Sequence, residues 1–185
     1  HPSFMDDPAL ENRMRDPGRL EEALEAVLPA DARVARRLRI DMVVTNARHS
    51  GGVTLVGSDL EAERRMTFLG SASIEGEFPA PDSANGILVG RELLEQFETR
   101  LGNKLILTAR DADGEVASKA FRITGVFDTV MESSEAGLAF APVEAVQAFL
   151  KVGEGVSEVS ILLPDIEQSG QVAAALSARL DPERF

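Results

Sequence analysis

The apolar residues of this chain follow two different periods. Leu20, Leu24, Val27 and Leu28 recur at i, i+4, i+7 and i+8, which predicts an amphipathic helix stopped by Pro29. Asp16 reads as its N-cap and Pro17 as its first helical residue. From Val34 to Ala47 the period shortens to two. Val34, Leu38, Ile40, Met42 and Val44 share one parity and predict a strand, with Arg36 interrupting that face. His49-Ser50-Gly51-Gly52 reads as a turn and Val53–Gly57 as the returning strand of an antiparallel hairpin. Asp59 to Met66 reads as a helical turn capped by Asp59 or Ser58.

The stretch from Gly86 to Ala141 carries the strongest pattern. It predicts a buried strand (86–90), a short helix (91–97) and a turn at 101–103. A strand (104–109), a hairpin turn (111–114) and a long returning strand (115–127) follow. Asp113-Gly114 suits a tight turn that needs positive φ. A loop then leads to a strand ending at Pro142, which opens a helix with Val143, Val146, Phe149 and Leu150 on one face and Gly153 and Gly155 at its end. Ser157–Leu163 reads as a strand and Ile166 to Leu180 as a helix with Val172, Leu176 and Leu180 spaced by four; Pro182 closes the chain. Glu75 to Asn85, with Pro79 and Pro81, is the clearest loop. The class is α+β. Its economical layout is an αβ subdomain built from both chain ends, residues 1–74 and 155–185, with a β-rich part, 75–154, inserted into it.

Composition narrows the function. The 185 residues suit one medium domain or two small ones, and 44% apolar with 27% charged residues is ordinary globular content. The net charge of −12 repels phosphate backbones and anionic lipid surfaces, so nucleic acid is not an expected partner. With no cysteine, disulfides and thiolate-metal sites are excluded. No apolar run reaches the ~20 residues that span a bilayer. The chain opens on His1-Pro2 without an initiator Met, which reads as a piece of a longer protein.

No catalytic constellation stands out, and no cofactor or metal is expected. His49 beside Ser50 reads as a polar turn rather than a base and nucleophile, and His1 has no visible partner. Asp111, Asp113 and Glu115 imitate the start of a calcium loop, but Lys119 and Ala120 follow where further ligands belong. The carboxylate groupings Asp6-Asp7 and Glu132/Glu135 read as solvated surface among 31 acids. Gly86, Gly90 and Gly102 form no phosphate-binding loop. Exposed loop tips on stiff strands are natural contact points, so Arg110, Asp111, Asp113 and Glu115 are the candidate partner-contact residues.

The ordered segments carry a family resemblance. GILVGRELLEQFETRLGNKLILTA resembles a segment of ABC-transporter permeases, and FRITGVFDTVMESSEAGLAFAPVEAVQAFL resembles their following segment. VTLVGSDLEAERRMTFL and HPSFMDDPALENRM are similar to the lipoprotein-releasing LolC/LolE branch, with its MacB-like periplasmic core domain in the FtsX-like permease superfamily. Asn103, Val130 and Glu135 depart from the family's usual Asp, Gly and Asp, and Ser58 to Leu60 lacks the usual Pro. The hairpin from Ala109 to Lys119 is short and lacks the proline-bearing hook that recruits a carrier.

The resemblance implies a non-catalytic periplasmic domain of a bacterial inner-membrane permease, with a Porter-like αβ part (1–74 and 155–185) and an inserted Sabre-like part (75–154). It would couple cytoplasmic ATP hydrolysis to lipoprotein extraction. The implied partners are the permease's own membrane helices, an ABC ATPase subunit, a second permease subunit, and lipoprotein cargo or a periplasmic carrier. A MacB-like efflux permease for small molecules or peptides is the alternative. A small acidic carboxylate hydrolase is the alternative of another class.

Overall fold

The computed structural model describes residues 10, 13–14, 17–129 and 137–180. Its centre is a closed ring of strands, and the class is α+β. Helix α1 (Gly18–Val27) is followed by β1 (Arg33–Thr45), β2 (Ser50–Ser58), α2 (Leu60–Met66) and β3 (Ser73–Gly76). Then come β4 (Gly86–Gly90), α3 (Arg91–Gln96), β5 (Lys104–Arg110) and β6 (Val116–Asp128). The last elements are β7 (Leu138–Pro142), α4 (Val143–Leu150), β8 (Glu158–Leu162) and α5 (Ser169–Ser177). Strand neighbours run β1–β2–β7–β4–β6–β5 and return to β1, so these six strands leave no free edge. The β2–β7 and β4–β6 pairs are parallel and the other four are antiparallel.

The period-two pattern explains the interior. Leu38, Ile40, Met42 and Val44 of β1 face inward with Val53 and Leu55 of β2 and Leu105 and Leu107 of β5. Helices α3 and α4 close opposite ends. Phe97, just past α3, lies against Gly51 at the start of β2, while Val146 of α4 lies on Gly57 near its end. A Cβ at Gly57 would sit 2.8 Å from Val146 Cβ, so only glycine lets α4 approach this closely.

Strand β6 switches parity midway. Ile87 pairs with Ile123 but Leu88 with Gly125, so Thr124 is the extra residue of a bulge. Phe121 and Ile123 point into the ring before the bulge and Val126 does so after it. Phe127 is thereby turned outward into a second cluster with Val56, Leu60, Leu69, Leu88 and Phe140. Strand β4 is buried on both faces for this reason, which matches its uninterrupted apolar run. A third cluster packs Leu20 and Leu24 of α1 with Val156, Val34, Val159, Ile161 and Leu176. It joins α1, α5 and β8 against the first residues of β1, and among the described residues β8 pairs only there, over Arg33–Arg37.

Several expectations need correction. Pro17 occupies the cap position rather than the first helical turn, and the cap residue predicted before it, Asp16, lies outside the described residues. The first hairpin turns at 46–49, where Asn46 Oδ1 accepts from the backbone N–H of Arg48 and His49 at 2.9 and 2.8 Å. Gly51 and Gly52 belong to β2 instead. Strand β3 (Ser73–Gly76), antiparallel to β6, takes Glu75 and Gly76 from the loop expected over 75–85. Helix α4 ends on Lys151 in the left-handed region (φ 55°) rather than on a glycine. The last helix begins as a 3-10 turn over 166–168. His1, Asp6-Asp7, Val130, Glu132, Glu135 and Pro182 lie outside the described residues.

Candidate functional site

The predicted contact residues all sit at the β5–β6 tip, but they do different work. The Asp111 side chain is 2% exposed. Its Oδ1 accepts from the backbone N–H of Asp113 and Glu115, both at 3.0 Å, and fixes the turn. Gly114 completes it at φ +80°. Lys151 Nζ donates to Asp111 Oδ2 at 2.7 Å and to Asp113 Oδ2 at 3.1 Å. The Ala112 N–H donates to the Leu150 carbonyl at 2.9 Å, so the tip is bolted to the end of α4. The Lys151 hydrogen bond, helped by the two backbone donors, outweighs burial and holds the Asp111 carboxyl below its ordinary range. The same contact, with Asp113, raises Lys151. Lys151 itself stands in the left-handed region, at φ 55°.

Arg110 donates to the Gly114 carbonyl at 2.9 Å and remains exposed, as do Asp113 and Glu115. Val116 beside them is 69% exposed. The tip is thus a stiff projection whose outward groups are Arg110, Asp113, Glu115 and Val116, with Asp111 held inside. Such a projection suits contact rather than bond chemistry.

A second polar centre was not legible beforehand. Arg37 Nε and Nη2 donate to the two oxygens of Glu63 at 2.5 and 2.9 Å, and Nη1 reaches Glu158 at 3.0 Å. Glu63 is buried, with its side chain 1% exposed. Ser58 Oγ lies 2.8 Å from both Glu63 Oε1 and the Arg36 carbonyl, and its one proton serves one of them at a time. The hydrogen bonds that Arg37 donates to Glu63 and Glu158 raise its pKa above the ordinary value despite opposing burial. Arg37 stands on β1 where β8 and β2 flank it, so one guanidinium ties α2, the ring and the terminal layer together. The sequence signal was Arg36-Arg37 inside an apolar strand pattern.

Other candidates resolve into structural roles. His49 packs edge-on against Phe97 with ring centroids 6.1 Å apart. Gly86 is a buried strand residue whose N–H donates to Ser83 Oγ at 2.9 Å, and Gly90 caps α3. Asp111 is displaced downward, opposite to what a general acid needs. Among the described residues, no group of three or more His, Asp or Glu side chains converges as a metal site. Lys119 lies 5.1 Å from the Phe121 ring and has its pKa lowered by burial.

No protein-family model matches the chain, and no curated protein matches it in sequence. Solved structures do match in shape. The extracellular domain of the noncanonic ABC-type transporter YknZ from Gram-positive bacteria superposes with a TM-score of 0.64 at 12% identity, covering 97% of this chain and 87% of that one. The periplasmic region of MacB from Actinobacillus actinomycetemcomitans gives 0.56 at 11% identity, covering 84% and 70%. A domain of a permease protein from Porphyromonas gingivalis gives 0.50 at 15%, covering 89% and 71%. The chain has the fold of these transporter and permease domains; at such identities the likeness speaks for the fold alone.

Proposed function

We propose that this chain is the extracytoplasmic domain of an ABC-type permease, periplasmic in a bacterial inner-membrane protein, and that it transmits movement rather than making or breaking bonds. The observation that carries the reading is the likeness to the YknZ domain across 97% of the chain. The stiff β5–β6 tip and the Arg37 junction support it, because they lock separate elements into one lever. ATP hydrolysis would belong to a partner subunit or domain, and the permease's membrane helices and a second permease subunit would flank the lever.

Lipoprotein release is the finer reading, resting on the ordered sequence segments that resemble the LolC/LolE branch. MacB-like efflux is a second reading, favoured by the match to the MacB periplasmic region. The proposed division is a Porter-like part, 1–74 with 155–185, and a Sabre-like part, 75–154. Strands β1 and β2 are shared, since they close the ring with the inserted strands. The proposed contact groups are Arg110, Asp113 and Glu115, with Asp111 supporting them.

The test is on the full-length parent protein in cells. It should fractionate with membranes, and excision of this domain should leave lipoproteins unreleased from spheroplasts. Normal lipoprotein release with increased sensitivity to small toxic compounds selects efflux. A parent protein found entirely in the soluble fraction overturns the proposal.

A further inference from the structure

The ring closes through β4, and β4 pairs with β6 only over Arg122–Phe127. Strand β6 starts earlier, at Val116, and runs past the end of β4 as one arm of the β5–β6 hairpin. The ladder register shows which way its backbone groups point. The Asp111 N–H donates to the Glu115 carbonyl at one end of the hairpin, and the Ile123 N–H to the Asn103 carbonyl at the other. Counting by twos between them, Ala117, Lys119 and Phe121 bond to β5. Val116, Ser118 and Ala120 therefore aim both N–H and C=O away from β5, and among the described residues no backbone group meets them. Arg122, next in this series, is already taken, since its N–H donates to the Asn85 carbonyl at 2.7 Å.

These three residues are exposed, Val116 to 69%. Open edges are commonly blunted by a proline, a bulge or an outward charge. From Val116 to Ala120 there is no proline and no bulge. The one charge, Lys119, is turned inward, with its Nζ 5.1 Å from the Phe121 ring and 3.4 Å from the Ala145 carbonyl. Helix α4 thus lines the inner side of the edge, with half-buried Phe149 against Phe121.

We infer that this edge receives a short extended segment of a partner protein as an added strand, antiparallel to β6. Backbone pairing supplies the attraction, and the antiparallel arrangement is the stronger one. The space also selects the occupant. A second copy offering the same edge, with the two Ser118 residues paired, would place its Gly114 opposite Arg122, where Asn85 and β4 already lie. A segment that lies along 116–120 and then turns away fits. Its outward side chains lie beside Val116, Ser118 and Ala120 and its inward ones over Phe149, which favours an uncharged, β-branched sequence. The inference stands apart from the transporter reading, because binding is measured on this chain alone.

The test reads hydrogen exchange of the isotope-labelled 185-residue chain by NMR. Exchange should alternate, fast at Val116, Ser118 and Ala120 and slow at Ala117, Lys119 and Phe121. Acetyl-Thr-Val-Thr-Val-Thr-amide should move the amide signals of 116–120 and slow the three fast ones. The same peptide N-methylated at its central Thr cannot donate to the Ser118 carbonyl and should bind at least about tenfold more weakly. Ser118→Pro removes an unpaired donor and, like Ser118→Ala, the hydroxyl bond to Thr108. The Pro variant should weaken binding by a similar factor, and the Ala variant should not. The remaining amide signals report that each variant is folded. Equally slow exchange along 116–121, no shifts at 116–120, or equal binding of the N-methylated peptide overturns the inference. Signals of 116–120 that move on concentrating the chain alone also overturn it, by making a second copy the occupant.

Discussion

Two ion pairs of similar appearance should behave differently when broken, because burial differs. Glu63 is 1% exposed and accepts from two nitrogens of Arg37, Nε and Nη2, whereas Glu158 is 27% exposed and accepts from one, Nη1. Glu63→Gln leaves a half-buried guanidinium without its main counter-charge and should cost about 2–3 kcal/mol in urea unfolding. Glu158→Gln should cost less than about 1 kcal/mol. Replacing both Arg37 and Glu63 with Met and Leu should recover most of the loss, since the buried pair itself is expensive to desolvate. Equal losses at Glu63 and Glu158 would refute this ranking. Asp111 gives a pH signature. Its folded pKa is depressed by Lys151, so its contribution is present above the unfolded value of about 3.9 and is lost as pH falls through the lower folded value. Lys151 is raised, so its contribution is full below about 10.4 and is lost as pH rises through the higher folded value. Thermal melts should show a plateau between those limits, with Asp111→Asn shallower on both outer limbs; unchanged limbs would show that the contact contributes nothing. Asn keeps the Oδ1 acceptor for the turn, so only the charge is tested.

At the level of elements, α4 packs tightly on β2 at Gly57. Gly57→Ala places a methyl 2.8 Å from Val146 Cβ and should destabilise the fold by about 1–3 kcal/mol through overpacking. Val146→Ala keeps Cβ but removes the Cγ2 methyl, 2.9 Å from the added group. The double variant should therefore lose less than the sum of the single losses, with a coupling of at least about 0.5 kcal/mol in a double-mutant cycle. Strict additivity would mean α4 simply backs away. The same elements show what the sequence could disclose. Strand β4 was readable from its uninterrupted apolar run, and the β5–β6 hairpin from the Asp113-Gly114 pair, both local signals. The Asn46 turn was misplaced because two glycines drew attention, yet Gly51 serves the close packing of Phe97 within β2. Ring closure was hidden, since β1 pairs with β2, β5 and β8 at separations that no local pattern encodes. Of the candidate site, the tip's position was legible but the burial of Asp111 was not. Its burial depends on Lys151, forty residues further along the chain.

Across the whole molecule, resistance to opening should be uneven. The ring has no edge from which to fray, and residues such as Leu38, Val44, Phe121 and Phe127 are completely screened from water. The terminal layer is thinner. Helix α5 buries none of its residues fully, Ile166 before it is 83% exposed, and β8 has one partner strand. Opening that layer sacrifices one short ladder, the contacts of the small third cluster and the Arg37–Glu158 bond, while the ring stays intact. Opening the ring sacrifices the main core. Native-state hydrogen exchange should therefore find α5 and β8 at least about 100-fold less protected than the centres of β1 and β6, a gap of about 2.7 kcal/mol. Uniform protection would mean that both parts open only together. A lever in a transporter has to be stiff where force crosses it and yielding where it meets moving helices. If the chain transmits movement as proposed, the ring supplies the first property and the layer of α1, α5 and β8 the second, with Arg37 setting how firmly one holds the other.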